Sequence, residues 1–327
     1  MSAKNWDRVP IDAQSIDAPL SQAAVFLVVK VASEPNALAT VCDQLEGLDD
    51  LIKVVAFRDL SARLSCIAGI GCELWDRLFP GERPRELKPF AEIVGPAHRA
   101  PSTPGDLLFH IRAERADLCF EFERILLDKL GTAVTVVDEV SGFRYFDARD
   151  LLGFVDGTAN PTGFDLPAAS MVGEEDAAFA GGSYVVVQKY LHDLTAWGKV
   201  PTHVQEAIIG RTKIDNIEID DDDAPRKSHK SLATITDANG NEYDILRDNM
   251  PFGRPGQGEF GTYFIGYSRY LWVTEKMLQR MFIGEPPGAY DRILDFSTAH
   301  TGTTFFAPPR PTLQRLAQAA KQTVPGS

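Results

Sequence analysis

Three short stretches hold side chains whose types and spacing could do chemistry. In Gly153-Phe154-Val155-Asp156-Gly157-Thr158-Ala159-Asn160-Pro161, a carboxylate stands among apolar neighbours between two glycines. Glycine accepts positive φ and close backbone approach, so this segment can aim Asp156 at a ligand where water is scarce. The competing reading is a turn in which Asp156 bonds its own backbone. In Tyr243-Asp244-Ile245-Leu246-Arg247-Asp248-Asn249-Met250-Pro251-Phe252-Gly253, a guanidinium and an amide lie two residues apart. In an extended segment both face one side and could hold an anion, unless Arg247 simply pairs with Asp244 or Asp248 at the surface. His229, in Ser228-His229-Lys230, follows the acidic run 220–223 and enters what reads as a short strand. It is either a metal ligand or an ordinary core or surface imidazole.

The remaining candidates are poorer. His98, His110, His192, His203 and His300 make no H-x-x-x-H or H-E-x-x-H pair, which leaves a helical zinc site without support. The acidic run reads most simply as a solvated loop, with a cation site as the weaker alternative. Cys42, Cys66, Cys72 and Cys119 form no C-x-x-C pair, which argues against a zinc ribbon or a thioredoxin-like site, and reduced, mostly buried thiols are expected.

The elements that must position these groups come in two similar sets. The apolar run 23–31 predicts a strand, 34–46 a helix, and IKVVAFRDL (52–60) a second strand. DLLFHIRA predicts a strand, ADLCFEFERILLDKLG a helix stopping at Gly131, and TAVTVVDEVSGFRYF a hairpin or pair of strands. The rhythm repeats with SYVVVQKYL, a helix-forming stretch at 200–210, the strand FGTYFIGYSR and the helix TEKMLQRMFIG. Segments 107–131 and 260–284 echo each other most closely. The pattern predicts an α+β fold of duplicated ferredoxin-like sheets with helices packed around them, halves 1–150 and 151–327. A doubly wound nucleotide fold is the alternative, but no strand leads into G-x-G-x-x-G. The aperiodic stretch 151–182 between the halves is too long for a turn and reads as a functional loop.

The composition is that of a globular chain: 327 residues, 44% apolar and 24% charged. A formal charge of −13 makes nucleic acid and anionic membranes poor partners. No apolar run is long enough for a membrane helix, and MSAKNWDRVP does not read as a leader, so a cytoplasmic protein is expected.

Taken together, GFVDGTANP, GRTK at 210–213, SHK at 228–230, LRDNMPFG and YDRILDFSTAHTGTTFFAP closely resemble the dye-decolourising peroxidases of type B, in order and interval, over about residues 20 to 310. The resemblance implies a haem b peroxidase that reduces hydrogen peroxide and oxidises dyes, phenolic compounds or Mn(II) in one-electron steps. One haem per subunit would lie between sheet and helices of the second half. Lacking C-x-x-C-H, the chain would hold it without covalent attachment. His229 would be the proximal iron ligand, and Asp156, Arg247 and Asn249 the distal catalytic group, with Arg247 the more necessary. Arg211 would pair with a propionate. Asp291 would accept a hydrogen bond from His229, with Asp295 as the fallback, and Phe252, Phe305 and Phe306 would form pocket walls. Tyr190, Trp197 and Trp272 are candidate surface exits for electrons. The partners implied are peroxide, small aromatic reductants and further copies in a homo-oligomer. A haem carrier or sensor and a haem-iron-releasing or porphyrinogen-oxidising protein are the alternatives. The tail LAQAAKQTVPGS carries no clear docking motif for an encapsulating shell.

Overall fold

The computed structural model describes residues 13–315, so the N-terminal leader reading and the tail LAQAAKQTVPGS lie outside the described residues. Strand β1, Ala23–Val31, shows why its run of apolar residues is unbroken: eight of the nine are buried because both faces of the sheet are covered. Val25, Leu27 and Val29 enter one apolar core, while Ala24, Phe26 and Val28 enter a second on the opposite face. Around β1 lie β2 (Ser65–Ile70), β3 (Leu107–Ala113) and β4 (Val134–Phe143), in the antiparallel order β2-β3-β1-β4.

The second half repeats this arrangement. Its strands are β5 (Ser183–His192), β6 (Leu246–Arg247), β7 (Met250–Arg254), β8 (Glu259–Ser268), β9 (Ser297–Ala299) and β10 (Thr303–Ala307), in the order β6-β8-β5-β10. β7 also pairs with β8, and β9 with β5. Each half thus reads second, third, first, fourth strand, the ferredoxin-like order expected. β10 meets β2 through Phe306 and Ile70, making one ten-stranded antiparallel sheet. The sheet curls until its ends approach: a Cβ added at Gly142 of β4 would stand 2.4 Å from Met250 Cβ of β7.

Helices α1 (Pro35–Glu46), α2 (Leu48–Ala56) and α3 (Ala116–Leu130) belong to the first half. Helices α4 (Thr202–Ile209), α5 (His229–Ala233) and α6 (Leu271–Phe282) belong to the second, and β3–α3 and β8–α6 are the echoing pairs. Gly131 ends α3 at φ +49°.

Three expectations are corrected. IKVVAFRDL is mostly helix α2, because Leu48, Leu51 and Val55 lie on one buried helical face and override the β-branched run; the second strand is SCIAGI, β2. The segment after α3 is a single ten-residue strand, not a hairpin. His229 opens a short helix rather than a strand, with Ser228 Oγ accepting from Ser231 N at 3.3 Å as its cap. All four cysteines are free and buried, as expected. Among the described residues no helix is long and apolar enough to cross a membrane.

Candidate functional site

Between the second half's sheet and its helices lies a cavity of ≈ 1030 Å³, its open mouth included. β5 contributes Tyr190 and His192, β8 Thr262 and Phe264, α6 Thr274, Met277, Leu278 and Met281, and the 151–182 loop Leu152, Phe154 and Asp156. A more polar vestibule of ≈ 1090 Å³, lined in part by Arg211, Glu218 and Lys230, shares eight wall residues with it, including Asp156, His229 and Arg247. The two therefore form one cleft, apolar inside and charged at the mouth.

Asp156 is held as its motif implies. Gly153 and Gly157 take φ +93° and +80°, conformations closed to most side chains, and Asp156 N donates to Ala148 O at 2.9 Å. Asn249 is fixed at both ends of its amide: Oδ1 accepts from Ile265 N at 3.1 Å and Nδ2 donates to Asp156 Oδ2 at 3.1 Å. It therefore orients the carboxylate. Arg247 and Asn249 both reach the cavity, and Arg247 pairs with neither Asp244 nor Asp248; its Nε is buried without a hydrogen-bond partner. What sequence reading missed here is Asn160. Its side chain clamps the Arg247 backbone, Nδ2 donating to the carbonyl at 2.7 Å and Oδ1 accepting from N–H at 3.0 Å. That pair of hydrogen bonds ties GFVDGTANP to LRDNMPFG through two residues 87 positions apart.

His229 donates from Nδ1 to Asp291 Oδ2 at 2.6 Å, and Asp291 is fully buried. Burial alone would lower the imidazole's pKa, but the Asp291 charge and hydrogen bond outweigh it, so the net shift is upward. With Nδ1 engaged and 31% of the side chain exposed, Nε2 is the nitrogen left for a metal. Asp295 instead accepts from Tyr290 Oη and meets His98 Nε2, both at 3.0 Å. Arg211 lines the vestibule, where Nε and Nη2 donate to Asn216 Oδ1 and O at 2.7 and 2.8 Å.

Other wall residues are unexpected. Asp150 lines the inner cavity, and burial pushes its carboxyl up to about 7 despite the bond from Phe154 N at 2.9 Å. His192 spends both nitrogens on hydroxyls, Ser297 Oγ at 2.8 Å and Thr262 Oγ1 at 2.9 Å, and burial pushes it down to about 4. It is a neutral wall, not a second ligand. Phe252, Phe305 and Phe306 are corrected: they pack in the cores, while the aromatic walls are Phe154, Phe264 and Tyr190. Tyr190 and Trp197 are buried rather than at the surface, and Trp272 alone of the three candidates is exposed, at 37%.

This donor set fits a haem. Among the described residues there is no group of three His, Cys, Asp or Glu for a bare ion. A single carboxylate-backed imidazole in an apolar cavity suits a metal that brings its own ring, and the unpartnered Arg247 Nε and the Asp156 carboxylate supply polar groups for a small ligand beside it.

The comparisons agree with the geometry. Residues 13–144 match the family model for the N-terminal part of Dyp-type peroxidases, and 147–312 that for the C-terminal part. A dye-decolorizing peroxidase of Mycolicibacterium paratuberculosis is 56% identical over 299 residues, covering 91% of this chain and 84% of the relative. DyPB from Rhodococcus jostii RHA1 superposes with a TM-score of 0.90 at 56% identity, over 94% of this chain and 98% of that one. Similar structures also include an Arg→Leu variant of the R. jostii RHA1 protein in complex with heme and a DypB Asn→Ala variant in complex with manganese. An encapsulated DyP-type peroxidase from Mycobacterium smegmatis gives a TM-score of 0.89 at 55% identity, over 92% and 97% of the two chains.

Proposed function

The chain belongs to the Dyp-type peroxidase family, and from that membership we propose the type B assignment and the residue roles that follow. It is a haem-dependent, dye-decolourising peroxidase. The observation that carries the residue roles is the meeting, in one apolar cavity, of the His229–Asp291 pair with Asp156, Asn249 and Arg247.

His229 would hold the iron through Nε2, with Asp291 fixing the tautomer and making the ring a stronger donor. Bound haem supplies the redox chemistry, accepting two oxidising equivalents from peroxide and passing them on singly. The chain's own groups manage protons and charge. Peroxide cleavage needs one oxygen to lose a proton and the departing oxygen to gain it; Asp156, oriented by Asn249, is the carboxylate placed to carry that proton. Negative charge grows on the departing oxygen, and the Arg247 guanidinium, held by Asn160 in a largely apolar cavity, stabilises it without reorganising. Arg211, fixed in the vestibule, is the cation for a propionate. The apolar interior limits water beside the reacting oxygens.

The further assignments are halves 1–150 and 151–327, a cytoplasmic homo-oligomer, and small aromatic reductants or Mn(II) as electron donors. The manganese complex of the DypB variant and the encapsulated M. smegmatis relative support the donor and assembly readings. A haem carrier would need His229 but neither Asp156 nor Arg247.

The test is spectroscopic. His229→Ala is expected to lose haem, whereas Arg247→Leu keeps haem with an unchanged resting spectrum and loses at least about a hundredfold in the rate of reaction with peroxide. Haem retained by the His229 variant with an unaltered Soret band would refute the ligand assignment.

A further inference from the structure

Among the described residues every one that lines the cavity and its vestibule stands at position 150 or later, so no strand or helix of the first half forms a wall, and only Asp150, its last residue, reaches the cavity from that half. We infer that it nevertheless sets the geometry of the distal group through one buried ion pair, Arg112–Asp248, which makes Arg112 a positioning residue for Arg247 and Asn249.

Between β6 and β7 the ladder with β8 lapses: Arg247 is the last paired residue of one and Met250 the first of the other. What remains is a bond from Asp248 N to Ile265 O at 3.2 Å and the Asn249 side chain on Ile265 N. Over this tripeptide, side-chain anchors must replace the ladder. Neighbouring residues of an extended chain point to opposite sides. Arg247 and Asn249 face the cavity, so Asp248 is turned the other way, into the first half.

There its carboxylate is wholly buried, an arrangement that is costly without a partner. Arg112 Nη1 donates to Asp248 Oδ2 at 2.8 Å, with Arg112 itself 2% exposed. Arg144 Nη2 stands 3.7 Å from Oδ1, and His110 Nε2 3.9 Å from Oδ2. His110 is neutral at ordinary pH, since burial pushes it down to about 3. Arg112 is thus the main anchor, and a firm one: it is the last but one residue of β3, held on both sides by pairing with Ala24 on β1 and Ser65 on β2. Asn160 grips the tripeptide's backbone from the second half and Arg112 its central side chain from the first. A displacement of the carboxylate must carry Arg247 and Asn249 with it, and Asn249 carries Asp156.

The inference rests on the peroxidase reading above, and its test separates the two. Fluoride binding to the ferric holoenzyme reads the distal hydrogen-bond donors without turnover. Arg112→Met is expected to weaken fluoride binding and lower kcat/KM for peroxide, each by roughly ten- to a hundredfold. Haem content stays the same, and Arg112→Lys recovers most of both losses. In an Arg247→Leu background Arg112→Met should cost clearly less than in the wild type, because the part of its effect that runs through Arg247 is already lost. If Arg112→Met lowers only the melting temperature, or if its effects add to those of Arg247→Leu, the positioning role is overturned. Should Arg112→Met fail to fold, Asp248→Asn keeps the shape and runs the same cycle with the same expectations. Wild-type protein that binds no haem, or binds it without reacting with peroxide, would overturn the peroxidase reading itself and this inference with it.

Discussion

At the residue scale, the chemistry depends less on which side chains reach the cavity than on what holds each one. His229 owes its tautomer to Asp291, 62 residues away in sequence and fully buried. On the proposed ligand assignment, Asp291→Asn should keep haem, since His229 remains, but weaken electron donation from the imidazole. The iron's reduction potential should rise, and the peroxide reaction should slow by about ten- to a hundredfold. Spectroelectrochemical titration checks the sign; an unchanged or lower potential would mean that the 2.6 Å bond does not tune the metal. Asp156, Arg247, Asn249 and His229 were legible because each lies in a short motif, and the motifs keep their order and spacing. The groups that hold them were less so. Asn160 stood inside a motif but gave no hint of its partner, and Asp150 and His192 are site residues only because strand β5 and the preceding loop are folded against α6. A single sequence does not carry those long-range pairings.

At the element scale, the loop 151–182 and the β6–β7 segment present Asp156, Arg247 and Asn249 to the cavity, and their placement depends on how tightly the curled sheet closes. Gly142 sits at that seam with Met250, the residue after Asn249, against it. Its φ is not in the left-handed region, so space and not backbone conformation forbids a side chain there. Gly142→Val must push β7 outward. The expected cost is about 1–3 kcal/mol in denaturant unfolding, with weaker fluoride binding by the holoenzyme because β7 continues directly from Asn249. Gly131→Ala, where an added Cβ meets nothing within 4 Å but φ +49° strains an alanine, is the control that should lower stability and leave fluoride binding alone. The unbroken apolar runs of β1 and β5 and the helical spacing of buried residues in α3 and α6 were legible for the same reason that they are stable: the pattern that marks each in the sequence is the one that packs it. The segment at 52–60 was not, because Val54, Val55 and Phe57 suggest a strand while the buried Leu48, Leu51 and Val55 make helix α2. Local propensity is the weaker influence there, and packing decides.

At the scale of the whole molecule, stability should bend with pH because buried titratable groups pull in opposite directions. His110 and His192 are held neutral, down to about 3 and about 4, so acid below 6.5 favours the unfolded chain, where they can protonate. Glu123 acts the other way. It lies on α3 with Oε1 unpartnered, and burial, then the charge of Glu139, pushes its carboxyl from 4.5 to about 7. Between those values the folded protein keeps a proton that the unfolded chain has lost, so stability falls as pH rises through this window, and the penalty is complete above about 7. Glu123→Gln removes the titration while keeping the shape. At pH 4 the variant should match the wild type, and by pH 8 it should be more stable by on the order of 2 kcal/mol, a figure already reduced for solvent screening. Melting curves at half-unit pH intervals decide it. A stability difference that opens between pH 4.5 and 7 identifies Glu123 as the group, whereas parallel curves would mean that its carboxyl finds water or a partner on ionising and that the alkaline loss of stability arises elsewhere, with Asp150 the next group to replace.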